Sequence, residues 1–222
     1  MSKQAKFDSE EIESIRDLLK DFAVSDSVSP EDIYREAWKR YTTLVDRLPF
    51  LKGNLSVQFH DIPRLLHLFI YRNLFTFAGE YRKKSDPGGG NVGFGGVPSQ
   101  KHKQAFPASN PDNIEEEVIE AFEFLTAGSD EDCIDRAIRF YQKFVRTHPF
   151  YDGNGRIARL ITNMYLQSYD KQIAWGEFDS KSKFLKKLNQ CHKNPTDENF
   201  GYLKRKLVVI EIGDVDEEGE SG

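Results

Sequence analysis

Two runs of apolar residues with helical spacing, joined by a segment no helix can cross, constrain this chain more than any other feature. In residues 129–147, Ile134, Ala137, Ile138, Tyr141, Phe144 and Val145 recur at intervals of three and four, the pattern of a helix with one buried face. Ile157, Leu160, Ile161, Met164 and Tyr165 repeat it further on. Pro149 cannot continue the hydrogen-bond ladder, so the first helix ends at about His148 and the second starts near Gly155. The fold must bring these two helices together around a turn, and the turn carries the chain's most reactive residues.

That turn reads His148-Pro149-Phe150-Tyr151-Asp152-Gly153-Asn154-Gly155-Arg156-Ile157-Ala158-Arg159. The first N–H groups of a helix lack backbone partners, and the peptide dipoles place about half a positive charge there, so an anion is favoured. Gly153 and Gly155 let a ligand approach the main chain closely, and Asn154 adds a side-chain donor. Arg156 and Arg159, three apart, offer two guanidinium forks to a polyphosphate. Asp152 repels a phosphate unless a cation lies between them. Mg²⁺, held by one or two carboxylates and substrate phosphates, resolves that conflict. His148 is the candidate general base near neutral pH. The chemistry these residues fit is nucleotidyl or phosphoryl transfer to a hydroxyl. Singly, each has a bland reading as a helix cap, an ion pair or a turn; together they are hard to explain by folding alone.

The stretch from His148 to Arg159 resembles the signature of Fic proteins, His-x-Phe-x-(Asp/Glu)-Gly-Asn-Gly-Arg-x-x-Arg, at every fixed position. The resemblance implies an all-α fold, a helical bundle with a small β-hairpin flap next to the active-site loop. It also implies transfer of AMP from ATP to a Ser, Thr or Tyr hydroxyl of a target protein. By the same resemblance His148 is the base, Phe150 anchors the loop, and Asp152 holds Mg²⁺ against the α- and β-phosphates. Gly153, Asn154 and Gly155 form the anion nest, and Arg156 and Arg159 grip the β- and γ-phosphates. Relatives that act as kinases carry Ala where this chain has Gly153, which favours AMP transfer here. The other readings are a Fic enzyme with another donor or reaction, such as UMP transfer, phosphocholine transfer or AMP removal, and a non-catalytic nucleotide-binding module.

The chain has 222 residues and a formal charge of -5, with no global basic field to hold nucleic acid. The lysines between Lys181 and Lys206 read as a solvated helix face. Cys133 and Cys191 form neither a CxxC pair nor a disulfide framework and fit a reducing compartment. No apolar run approaches the roughly 20 residues of a membrane span, and no signal peptide opens the chain. The expectation is a cytoplasmic protein without membrane contact; secretion as an effector stays open.

In chain order, helices are predicted over 9–23, 29–48, 61–75, 111–125, 180–191 and 195–206, besides the two central ones. Residues 207–212 read as a short strand or an extended tail, and 213–222 as an acidic disordered tail. One Fic-like domain is expected over 1–212, with N-terminal helices at 9–48, a core at about 61–206 and a flap at about 83–98. His67 reads as a hydrogen-bonded core residue rather than a ligand. Phe77 to Arg82 is similar to a segment that leads into the flap of Fic proteins. Gly88, Gly90 and Gly93 match G-x-G-x-x-G, but no helix pattern follows directly, so a dinucleotide fingerprint is rejected. Asn91, Val92, Gly93, Phe94 and Gly95 are the expected flap residues, whose main chain can pair with an extended segment of the target.

Many Fic proteins carry an inhibitory helix, Ser/Thr-x-x-x-Glu-Gly/Asn, whose Glu pairs with the second motif arginine. No strict match exists in this chain. The nearest is Asn194 to Asn199, which makes Glu198 the candidate partner of Arg159; the alternative is a Glu supplied by an antitoxin-like partner, or none.

Overall fold

The computed structural model describes residues 9–25, 27–47, 61–94, 106–128, 130–176 and 181–212. Its helices are α1 (Ser9–Phe22), α2 (Pro30–Arg47), α3 (Ile62–Tyr71), α4 (Ile114–Thr126), α5 (Cys133–Thr147), α6 (Asn154–Gln167), α7 (Lys181–Lys193) and α8 (Asp197–Lys204). Two small antiparallel pairs accompany them: β1 (Gly93–Phe94) with β2 (Phe106–Pro107), and β3 (Lys171–Ile173) with β4 (Val209–Glu211). The fold is an all-α bundle with a hairpin beside it, as expected.

α5 and α6 are the centre. Ala137, Phe140 and Phe144 of α5 and Ile157, Ala158 and Leu166 of α6 are fully buried. α6 is enclosed by α2, α3, α5 and β3, so even its polar Thr162, Asn163 and Gln167 are buried. A side chain such as Phe144 contributes on the order of 1.5–3 kcal/mol by burial. Truncation of Phe144 to Ala in this close-packed seam costs about 3–5 kcal/mol, because the cavity adds to the lost transfer energy.

Helix boundaries follow local chemistry. Ser29 Oγ accepts from the Asp32 N–H (3.1 Å), starting α2 at Pro30. Thr196 caps α8 by accepting from the Asn199 N–H (3.3 Å). α3 is shorter than the predicted 61–75: it stops at Tyr71, and Asn73 turns the chain with a left-handed φ of 62°. Phe75 then lies in an isolated bridge with Ala23, and Thr76 N–H donates to Phe22 O (3.0 Å), tying α1 to the core. The helix predicted over 111–125 opens as a 3-10 turn, Pro111–Asn113, capped by the Asn110 side chain, before α4 begins.

Within 207–212, residues 209–211 form a strand, because β3 supplies an unforeseen partner: Lys171 pairs with Glu211, Gln172 with Ile210 and Ile173 with Val209. Asn163 of α6 fixes β3 in place. Its Oδ1 accepts from the Ile173 N–H (3.0 Å) and Trp175 Nε1 (3.3 Å), and its Nδ2 donates to Ile173 O (3.1 Å). In the other pair Gly93 faces Pro107 and Phe94 faces Phe106. Gly95 and the rest of the expected flap to 98 lie outside the described residues, as does the segment 213–222. Among the described residues no helix is long and apolar enough to cross a membrane.

Candidate active site

The loop between α5 and α6 is held by three local devices. His148 caps α5 in the left-handed region (φ 53°), its N–H still bonded to Phe144 O (3.1 Å). Phe150 is fully buried and stacks on His67, ring centroids 3.9 Å apart and planes within 8°. The Asn154 amide brackets Phe150, accepting from its N–H (2.9 Å) and donating to its carbonyl (2.8 Å). Gly153 then enters α6 at φ 77°, and a Cβ there would lie 2.7 Å from the Tyr71 ring. His67, beneath the loop, accepts from the Gly79 N–H (2.9 Å), and burial pushes its pKa down to about 3. It is a core residue, as expected.

The imidazole of His148 stacks on Phe94 of β1, with centroids 4.8 Å apart and planes 12° apart. Its Nδ1 lies 3.4 Å from Val145 O, which can only accept, so Nδ1 carries the proton and Nε2 keeps a lone pair. Burial, then the nearby Arg82 guanidinium, lowers its pKa to about 4. At neutral pH it is an uncharged base.

The N-terminus of α6 opens beside it. Arg156 is buried, its Nη2 2.5 Å from Glu11 of α1 and 3.1 Å from Asp152, its guanidinium over the rings of Trp38 and Tyr71. Its Nη1 is buried with no hydrogen-bond partner among the described residues. Arg159, one turn on, donates from Nε to the Tyr41 hydroxyl (3.4 Å). Asp152 accepts from the Tyr71 hydroxyl (2.9 Å) and from Arg156. Burial opposes its ionisation, but Arg156, Tyr71 and the Gly153 N–H outweigh that and hold it below the usual carboxylate range. His148, Asp152, Arg156, Arg159 and Glu11 line one open cleft of about 880 Å³, whose lining is also aromatic: Trp38 and Tyr41 from α2, Tyr141 from α5, Trp175 after β3 and Phe184 from α7. A neutral base, a helix N-terminus, two arginines and an aromatic wall can hold an aromatic phosphate ester and accept a proton beside it.

Residues 58–166, which include this whole loop, match the Fic/DOC family. The chain carries a Fic/DOC domain. Among solved structures, the N-terminal Fic domain of a Bartonella effector protein from Bartonella sp. AR 15-3 is similar with a TM-score of 0.62 at 15% identity, over 85% of this chain and 89% of that one. The BepC protein of Bartonella tribocorum, with bound AMPPNP, is similar with a TM-score of 0.57 at 13% identity, over 82% and 90%. At those identities the likeness is one of fold. A protein adenylyltransferase and cysteine protease, IbpA, of Histophilus somni (strain 2336) is 25% identical over 71% of this chain, which spans 4% of that protein's length.

Within this Fic domain, His148, Asp152, Gly153, Asn154, Gly155, Arg156 and Arg159 meet Gly93 and Phe94 of the hairpin around one cleft. Two expectations need correction. The Asn154 side chain is not a free donor, because its oxygen and one of its N–H groups are engaged with Phe150, clamping the tight turn into α6. Glu198 does not meet Arg159: it is exposed on α8 and accepts from Tyr202 one turn along the same helix (3.0 Å). Glu11 instead reaches a motif arginine, and it is Arg156. Asn91 and Val92 sit at the hairpin base, where Asn91 Nδ2 donates to Gly88 O (3.1 Å) and Val92 O accepts from Ala108 N–H (3.0 Å). Glu11, Tyr71 and the aromatic wall were not read from the sequence. Glu11 had one weak signal, the acidic first turn of α1, and nothing along the chain links it to Arg156.

Proposed function

We propose that the chain is a protein adenylyltransferase, moving AMP from ATP to a Ser, Thr or Tyr hydroxyl of a target protein. The observation that carries this reading is a neutral imidazole beside a helix N-terminus where, among the described residues, neither its Nε2 lone pair nor a buried arginine nitrogen has a partner. The similarity to an adenylyltransferase and to a Fic structure with bound AMPPNP supports ATP as donor.

In this mechanism the β- and γ-phosphates lie against the amides at Gly153–Gly155 and the guanidinium groups of Arg156 and Arg159. An extended target segment pairs with the hairpin at Asn91 to Phe94 and brings its hydroxyl to His148. Nε2 takes the hydroxyl proton as the oxygen attacks the α-phosphorus. The bond to the bridging oxygen breaks, and pyrophosphate leaves held by the two arginines, which stabilise the charge it gains.

Among the described residues no group of three or more acidic, His or Cys side chains could hold a metal alone. Asp152 is a single ionised carboxylate on the cleft, which fits Mg²⁺, an ion bound through one or two carboxylates plus phosphates. When bound, the ion would neutralise charge between Asp152 and the α- and β-phosphates. Asp152 would exchange its Tyr71 and Arg156 partners for it.

Glu11 restrains this site from within the chain: it occupies Nη2 of Arg156, for which a phosphate must compete. The contact needs no separate inhibitory partner. ATP labelled at the α or the γ phosphate tests the whole reading. Incorporation from α alone is expected; incorporation from γ alone would make the protein a kinase, and from neither would leave a binding module.

A further inference from the structure

Arg82 is fully buried, yet every hydrogen bond of its guanidinium described goes to a main-chain carbonyl. Nε donates to His148 O (2.8 Å), Nη2 to Ser109 O (3.0 Å) and Thr147 O (3.4 Å), and Nη1 to Gly90 O. Its own N–H donates to Pro149 O (3.0 Å). These acceptors are the two legs of the hairpin, Gly90 before β1 and Ser109 after β2, and the end of α5 that presents the imidazole. A buried charge is costly unless its donors are satisfied, and the five N–H groups of a planar fork suit several carbonyls converging from different segments. The hairpin leg has little freedom of its own: at Gly90 (φ 67°) a Cβ would lie 2.4 Å from Lys83 O.

We propose that Arg82 is a positioning residue for the transfer, locking the acceptor-seating hairpin in register with the His148 imidazole so that the two move as one unit. The proposal rests on the adenylyltransferase reading for its effect on rate, though not for its mechanical content. It adds a link between two parts of the site that the motif does not contain, since Arg82 lies far outside residues 148–159. The stack of Phe94 on His148 is the contact this register maintains.

The test uses the full chain with Arg82→Lys, which keeps the charge and loses the fork, and Arg82→Gln, which loses the charge. Affinity for AMPPNP, self-modification from α-labelled ATP, and the titration of His148 followed by NMR of the labelled imidazole are measured on each. AMPPNP affinity should stay within about two-fold, while self-modification falls on the order of 100-fold in both, the effect of a misplacement near 1 Å. The His148 titration point should rise in Arg82→Gln and stay low in Arg82→Lys. The other charged and titratable groups around that ring are Asp152 in the loop and His192 on α7, itself beside Arg146, and neither substitution touches them.

Unchanged self-modification in a folded variant, or a loss of AMPPNP affinity as large as the loss of transfer, would reduce Arg82 to a packing residue. A His148 titration indifferent to the charge change would do the same. Should neither variant fold, hydrogen exchange on the wild type decides. The Ala108 amide of the hairpin and the Arg82 amide on Pro149 must open together, and independent opening overturns the proposal. A wild-type protein that transfers no AMP would end the adenylyltransferase reading, and titration and exchange would still judge the coupling.

Discussion

The Glu11 carboxylate lies 2.5 Å from Nη2 of Arg156, joining the first turn of α1 to the first turn of α6 in the lining of the cleft. Both groups are largely shielded from water, so the pair is worth more than a surface bridge, and breaking it leaves a less compensated buried charge. Glu11→Gln should therefore lower the melting temperature of the nucleotide-free protein. It should also strengthen ATP binding roughly ten-fold, since ~1.4 kcal/mol is close to one hydrogen bond to a charged group. Calorimetry with AMPPNP and melting with and without it check both signs. Unchanged affinity would mean that Glu11 does not compete with the phosphates.

His148→Ala should lower AMP transfer by about 10² to 10⁴, the usual worth of a general base, while AMPPNP affinity is retained. Because burial and Arg82 hold the imidazole at about 4, the base is uncharged throughout the neutral range. The acid limb of the pH–rate profile should lie near that value instead of near 6.5. A limb at 6 to 7 would contradict the burial argument.

Gly153→Ala faces a left-handed φ of 77° and the Tyr71 ring at 2.7 Å. A residue with a Cβ there costs on the order of 1–2 kcal/mol for the backbone alone, and the contact adds to it. Tyr71→Leu in the same chain should recover the steric part but not the backbone part. Urea midpoints of the two single variants and the double variant separate these contributions.

Acid should destabilise the fold earlier than its carboxylates alone imply. Burial lowers His67 to about 3, His148 to about 4 and His192 to about 3 in the native state, against about 6.5 unfolded. Between those values the unfolded chain binds protons that the native chain refuses. The stability these groups contribute is complete above about 6.5 and is lost as pH falls through that window. The urea midpoint should be level from pH 7 to 8 and decline steadily from 6.5 to 4.5. A flat midpoint down to pH 5 would show that these rings are not excluded from water.

Asn154→Ala removes both partners of the Phe150 peptide group inside the core. A loss of about 1–3 kcal/mol is expected from leaving buried groups unsatisfied. AMP transfer should fall with it, because the loop that seats His148 and Asp152 loses its clamp. Equal stability with lost transfer would return Asn154 to a direct role at the ligand.

Periodicity and local chemistry carried much of this protein by themselves. The stripes on α5 and α6 faced inward as their spacing required, Pro149 ended one helix, and Ser29 and Thr196 capped two others, since each effect acts within a turn or so of chain. The grouping of His148, Asp152, Gly153, Arg156 and Arg159 was legible for the same reason: twelve consecutive residues cannot be far apart. What the tertiary structure alone decided are contacts between segments remote in sequence. Glu11 displaced Glu198 as the acid facing the motif, Tyr71 set the limit on residue 153, β3 gave residues 209–211 a partner, and Arg82 joined hairpin to base. Such pairings depend on how whole helices pack, and an acidic first turn or a lone arginine looks the same in the sequence whether or not it reaches the cleft.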